Sequence, residues 1–139
     1  MAIYKFVKAI LAGESPTIFG DGEQTRDFTY VDDAVQGTIL AAEKEIEGYE
    51  VFNIGGGRRV SVTNLASILL SLLDKKGKIK LTYSKARRED VQDTLADITK
   101  ANERLGYTPK VKFEKGLTEF IHWFMGNRLT ETLPLSEGS

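Results

Sequence analysis

Short segments rich in β-branched and aromatic residues alternate with longer ones whose apolar residues recur every three or four positions, and glycines punctuate the junctions. That alternation constrains the fold most, because it joins strand and helix patterns into one α/β unit. Ile3, Phe6, Val7, Ile10 and Leu11 form one helical stripe, stopped by Gly13 and Pro16. Thr17-Ile18-Phe19 reads as a brief strand and Asp27 to Val31 as a second. Asp32 or Asp33 is placed to cap a helix from Ala34 to about Lys44, with Val35, Ile39, Leu40 and Ala42 facing inward. Val51-Phe52-Asn53-Ile54 is apolar enough for a strand covered on both faces. Ser61 suits the N-cap of a helix from Val62 to about Leu73, and Lys78 to Tyr83 returns as a strand. Asp97 caps a short helix from Ile98 to Leu105, with Gly106 where a left-handed C-cap is wanted. A last amphipathic helix spans about Glu114 to Met125.

Composition narrows the chemistry. The 139 residues suffice for one domain. Nineteen Lys and Arg against twenty Asp and Glu leave a net charge of -1, which argues against a general nucleic-acid binder. With no cysteine, disulfides, thiolate nucleophiles and Cys-based zinc sites are excluded; with one histidine, so is any two-imidazole site. No apolar run approaches the ~20 residues that cross a bilayer, and no signal-peptide pattern opens the chain. The expected setting is the cytoplasm.

Several motifs carry two readings. Gly55-Gly56-Gly57-Arg58-Arg59-Val60 lacks the last glycine of a dinucleotide fingerprint, so a structural turn is preferred to a phosphate loop. Tyr4 and Lys8 have Tyr-x-x-x-Lys spacing, but it opens the chain with no cofactor site before it, and chance accounts for it. His122, between Ile121 and Trp123, is read as packing or surface. Arg26, Arg87 and Arg88 lie on polar loops, where a guanidinium suits bidentate phosphate capture. Solvated charge paired with Glu89 or Asp90 is the other reading.

The run from Pro16 to Asp33, with Gly20-Asp21-Gly22-Glu23-Gln24 and Thr25-Arg26-Asp27-Phe28-Thr29-Tyr30-Val31-Asp32-Asp33, resembles extended short-chain dehydrogenase/reductases acting on sugar nucleotides, UDP-glucose 4-epimerase above all. Val51-Phe52-Asn53-Ile54-Gly55, Ala86-Arg87-Arg88-Glu89-Asp90-Val91, Ala96 to Ala101 and Leu105 to Pro109 agree in order and spacing.

The resemblance implies an α/β fold equivalent to the C-terminal, substrate-binding portion of an extended Rossmann-type epimerase, lacking the N-terminal βαβ units that bind NAD. Residues 1–128 would form the sugar-nucleotide domain with elements completing the Rossmann domain, and 129–139 a flexible tail. It assigns Arg26 and Arg87 to the substrate diphosphate, Asp90 to a ribose hydroxyl, and Thr17 and Phe19 to the nucleobase. Glu89 stands where the family usually has glycine. The catalytic Tyr-x-x-x-Lys belongs to the missing half, so no residue here is expected to be catalytic and none to hold a metal.

The implied reaction is hydride removal and return at the sugar C4, with this chain inactive alone. A 4,6-dehydratase part or a non-catalytic sugar-nucleotide-binding module are the alternatives, and a purely structural domain stands against all three. Expected partners are a UDP-sugar or another nucleotide-diphosphate sugar, the Rossmann half in cis or trans, and, through exposed apolar faces, further copies of the chain. Neither nucleic acid nor membrane is expected.

Overall fold

The computed structural model describes residues 2–86, 88 and 90–131, the last four by backbone alone. Helix α1 (Ala2–Leu11) buries Phe6, Val7 and Ile10, the predicted stripe, and leads through Pro16 into strand β1 (Thr17–Phe19). β1 pairs in parallel with β4 (Thr82–Ser84), Ile18 standing opposite Tyr83. The second return strand is therefore later and shorter than the Lys78–Tyr83 segment the sequence suggests. Residues 75–78 are spent in turns, closed by bonds such as Lys78 N–H to the Lys75 carbonyl.

A second pair joins β2 (Thr25–Arg26) antiparallel to β3 (Val60–Ser61). Asp27 to Val31 is not the strand expected from its pattern. Pairing ends at Arg26, and Val31 already opens helix α2 (Val31–Glu43) from an extended Tyr30. Neither Asp32 nor Asp33 caps α2; both lie in its first turn, where the helix dipole favours them. Asp33 is buried and turned instead onto the chain before the last helix.

Helix α3 (Val62–Leu72) starts as predicted, with Ser61 Oγ accepting from Asn64 N–H at 3.2 Å. In α4 (Thr99–Leu105) the cap position falls on Ile98, yet Asp97 still accepts from Thr99 N–H at 3.0 Å, and the Thr99 hydroxyl followed by this amide holds its carboxyl below the usual range. Gly106 closes α4 at φ 72, a conformation a Cβ would strain. α5 (Phe113–Glu131) runs beyond the predicted Met125 and past the boundary at 128. Residues 132–139 lie outside the described residues.

Two apolar clusters result. The larger unites α1, β1, α3 and α5 around Ile10, Ile18, Leu65, Leu69 and Leu117. The smaller gathers Ala101, Leu105 and Tyr107 with Leu40, Phe52 and Ile54 around it.

Beside the smaller cluster the sequence reading needs a correction. Val51–Ile54 forms no strand, because no described strand lies alongside to complete a ladder. Side chains hold it instead: Lys100 Nζ donates to the Val51 carbonyl at 3.0 Å and sits 4.8 Å over the Phe52 ring, and Asn53 Nδ2 donates to the Asp97 carbonyl. Val35, Ile39 and Ala42 do not face inward either. Val31, Val35 and Ile39 are 62, 51 and 43% exposed, and their spacing of four makes one apolar stripe along α2. Only the Leu40 side of α2 finds a core within the described residues. Among these residues no helix is long and apolar enough to cross a membrane.

Candidate functional site

A cleft of about 850 Å³ opens between α1, β1 and the chain after β2. Thr17, Phe19, Arg26 and Asp90, four of the five residues assigned from the resemblance, line it together. Arg87 lies outside the described residues, as does Glu89. The described residues on either side of them make contacts of their own. On one side Gly20 N–H bonds the Ser84 carbonyl at 2.9 Å, and Ala86 Cβ packs 3.6 Å from where a side chain on Gly20 would begin. On the other, Asp90 Oδ1 lies 3.5 Å from Arg26 Nη2.

Arg26 is held as well as placed. Its Nη1 donates to the Thr25 carbonyl at 2.8 Å and to the Gln92 carbonyl at 3.3 Å. Residues 92–94 are stitched along β2: Thr25 N–H to the Gln92 carbonyl, Thr94 N–H to the Thr25 carbonyl, and Thr25 Oγ1 to Asp93 at 2.5 Å. The Thr25 hydroxyl holds the Asp93 carboxyl below its usual range against the opposing effect of burial, helped in turn by the Arg59 charge, the Thr25 backbone and the Arg26 charge. The guanidinium side chain remains 24% exposed at the cleft wall, so it can still meet a ligand. Both terminal nitrogens are engaged, Nη1 by the two carbonyls and Nη2 by Asp90, so an anion reaching the exposed edge of the guanidinium displaces or shares the Asp90 contact.

Asp27, which follows directly, does different work. Its carboxylate accepts from Gly56 N–H at 2.9 Å, Gly57 N–H at 3.1 Å and Ala96 N–H at 3.1 Å. The glycine turn is therefore structural, as its incomplete fingerprint indicated. Its amides are committed to a carboxylate of the same chain, so these residues do not fit the dinucleotide phosphate of an NAD. A side chain on Gly56 would begin 2.6 Å from the Phe28 carbonyl and 2.8 Å from Asp27, so this close approach requires glycine. Nearby, the buried Tyr107 hydroxyl donates to the Gly55 carbonyl at 2.8 Å. Burial and then the Asp33 and Asp27 charges push that phenol upward, keeping it a donor.

Tyr4 meets the edge of Phe124, ring centroids 5.2 Å apart, and Lys8 and His122 are exposed. Sequence reasoning missed Lys5, Gln24, Asp27 and Phe28 in the cleft. Only Asp27 carried a signal, its adjacency to Arg26 in the Thr-Arg-Asp run; Lys5 sits off the apolar stripe of α1.

Comparison with known proteins gives the family. The family profile for GDP-mannose 4,6 dehydratase matches residues 1–120. The chain belongs to that family, among the extended short-chain dehydrogenase/reductases. It is 41% identical over 128 residues to UDP-glucuronate 4-epimerase of Thermodesulfobacterium geofontis, covering 91% of this chain and 38% of that protein. It resembles the crystal structure of UDP-glucose 4-epimerase from Thermotoga maritima with UDP-glucose, at a TM-score of 0.84 and 39% identity, over 92% of this chain and 40% of the other. It also resembles UDP-glucuronic acid 4-epimerase from Bacillus cereus in complex with UDP-glucuronic acid and NAD, at a TM-score of 0.74 and 38% identity, over 89% and 40%. The chain thus spans about two fifths of the proteins it matches.

Proposed function

We propose that this chain is the substrate-binding part of a UDP-sugar 4-epimerase, gripping the nucleotide diphosphate of the sugar donor. The convergence of Thr17, Phe19, Arg26 and Asp90 on one cleft carries this reading. Arg26 from the β2 side and Arg87, which lies outside the described residues between Ala86 and Asp90, clamp the diphosphate, and the β1 edge takes the base. Each charge-assisted bond to a phosphate oxygen contributes about 1.5–3 kcal/mol. Holding the nucleotide handle positions the sugar for chemistry supplied by the part of the longer relatives that this chain does not span, so the chain alone is inactive. The match to a 4,6-dehydratase profile favours one second reading, a dehydratase part with the same clamp and another base.

Titration of the chain with UDP, dTDP and GDP, followed by calorimetry and thermal shift, tests both. UDP binding that weakens by about 1–3 kcal/mol on Arg26→Ala, and as much on Arg87→Ala, is the expected result. Unchanged affinity in both variants would refute the clamp, and a preference for GDP would favour the second reading.

The partner follows from the surface. The ladder-free Val51–Ile54, packed on the Gly37 and Leu40 side of α2, is where an N-terminal Rossmann sheet docks, and the stripe Val31, Val35 and Ile39 on the other side of that helix is a second apolar surface open to another chain. Support comes from the pattern of Val51–Ile54, suited to a strand covered on both faces, and from the length of the relatives beyond this chain. Without that sheet the chain is expected to self-associate and bind a hydrophobic dye. Val35→Glu with Ile39→Glu should shift its elution toward the monomer while leaving its melting temperature nearly unchanged. A wild-type chain that elutes as a dye-free monomer would contradict this part of the proposal.

A further inference from the structure

Lys75, Lys76, Lys78, Lys80 and Lys85 put five cations and no acid into residues 75–85 of a chain whose net charge is -1. Two of these lysines answer to local structure. Lys78 Nζ pairs with Asp74 at 3.2 Å, and Lys75 N–H closes the end of α3 on the Leu70 carbonyl. Lys80 and Lys85 stand exposed beyond the two ends of β4, and neither ammonium pairs with an acid among the described residues.

The strand between them is a sheet edge. Ser15 Oγ donates to the Lys80 carbonyl, Thr82 N–H to the Pro16 carbonyl and Gly20 N–H to the Ser84 carbonyl. Residues 80, 82 and 84 therefore turn their peptide groups toward the 15–20 segment. By strand alternation, 81, 83 and 85 turn theirs the other way, where no described strand pairs with β4. Thr82, Tyr83 and Ser84 are all exposed, and none of them lines the cleft.

Two features of this edge select its occupant. Its row of alternating N–H and C=O groups matches another peptide backbone; a polyphosphate only accepts and would leave the carbonyls unused. Lysines beyond both ends of the strand repel the same edge of a second copy and attract carboxylates. We propose that the outer edge of β4 docks an extended acidic peptide segment of a partner, which adds a third strand and sets carboxylates against Lys80 and Lys85.

The test is fluorescence anisotropy on the full chain with a labelled eight-residue peptide of alternating Glu and Val. The matching Lys-Val peptide and a single-stranded thymidine oligonucleotide of equal charge are the comparisons. The acidic peptide should bind, and more tightly than either. Tyr83→Pro removes an outward N–H without touching the bonds to the 15–20 segment, a place where an edge strand tolerates proline. It should weaken the acidic peptide about tenfold, whereas Tyr83→Thr, which keeps that N–H, should bind it as wild type does. Lys80→Glu with Lys85→Glu leaves the backbone edge intact and should reverse the preference toward the Lys-Val peptide, a readout that stands even if the proline variant fails to fold. No binding of the acidic peptide, equal binding of both peptides, tighter binding of the oligonucleotide, an unreversed preference in the double variant, or equal affinity in folded Tyr83→Pro and Tyr83→Thr would overturn the proposal.

Discussion

Replacing Asp27 with alanine is expected to remove about 3–5 kcal/mol of folding stability, read as a fall in the urea midpoint at unchanged m-value. The size follows from the number of donors left behind. Gly56, Gly57 and Ala96 all send their N–H to this one carboxylate, and Gly56 and Ala96 are only partly accessible to water. Losing the acceptor strands these amides, and a stranded donor costs about 1–3 kcal/mol according to its burial. Domains of this size are stable by about 5–15 kcal/mol, so the variant would sit near the edge of folding. Asp27→Asn keeps one acceptor oxygen but sets an amide NH₂ against the remaining N–H groups, and should fall between. A midpoint within experimental error of wild type for Asp27→Ala would show that water replaces the carboxylate at no cost.

The second large effect belongs to Asp33, 4% exposed, whose two oxygens accept from Lys110 N–H at 2.8 Å and Val111 N–H at 3.1 Å. Asp33→Ala should cost about 2–4 kcal/mol, measured in the same denaturation experiment. Two donors are affected here, but they are joined to a more deeply buried acceptor. Asp32, its exposed neighbour in the same turn, provides the control: Asp32→Ala loses only an interaction with the helix dipole, about 0.3–1 kcal/mol. Equal effects at the two positions would mean that the helix terminus, and not the 110–111 segment, sets the role of Asp33.

These two residues also mark where sequence reasoning stopped. Local signals were legible: the three- and four-residue spacing of α1, the Ser61 cap, the glycine that ends α4, and the short aromatic β1 all came from interactions within a few positions. The membership of the cleft was legible because the motif ran unbroken from Thr17 to Arg26 and resumed at Ala86. What failed was long-range. Asp27 finds its partners 29, 30 and 69 residues away and Asp33 finds its own 77 and 78 away, and nothing at those distances marks the pairing in one sequence. The inward assignment of Val35 and Ile39 failed for another reason. Periodicity identifies an apolar face but not what covers it, and within the described residues nothing does. Val51–Ile54 is the same case in extended form, since a ladder takes two strands.

The two carboxylates share a further property. Each reaches from one apolar cluster to chain belonging to the other: Asp27 from the cleft side to the 55–57 turn, and Asp33 from α2 to the entry of α5. The clusters are thus bolted to each other by directional bonds as well as by complementary greasy surfaces. A bolt of this kind fixes distance and bearing even where the facing surfaces are thin, and one of the two sits a single peptide unit from the guanidinium in the cleft.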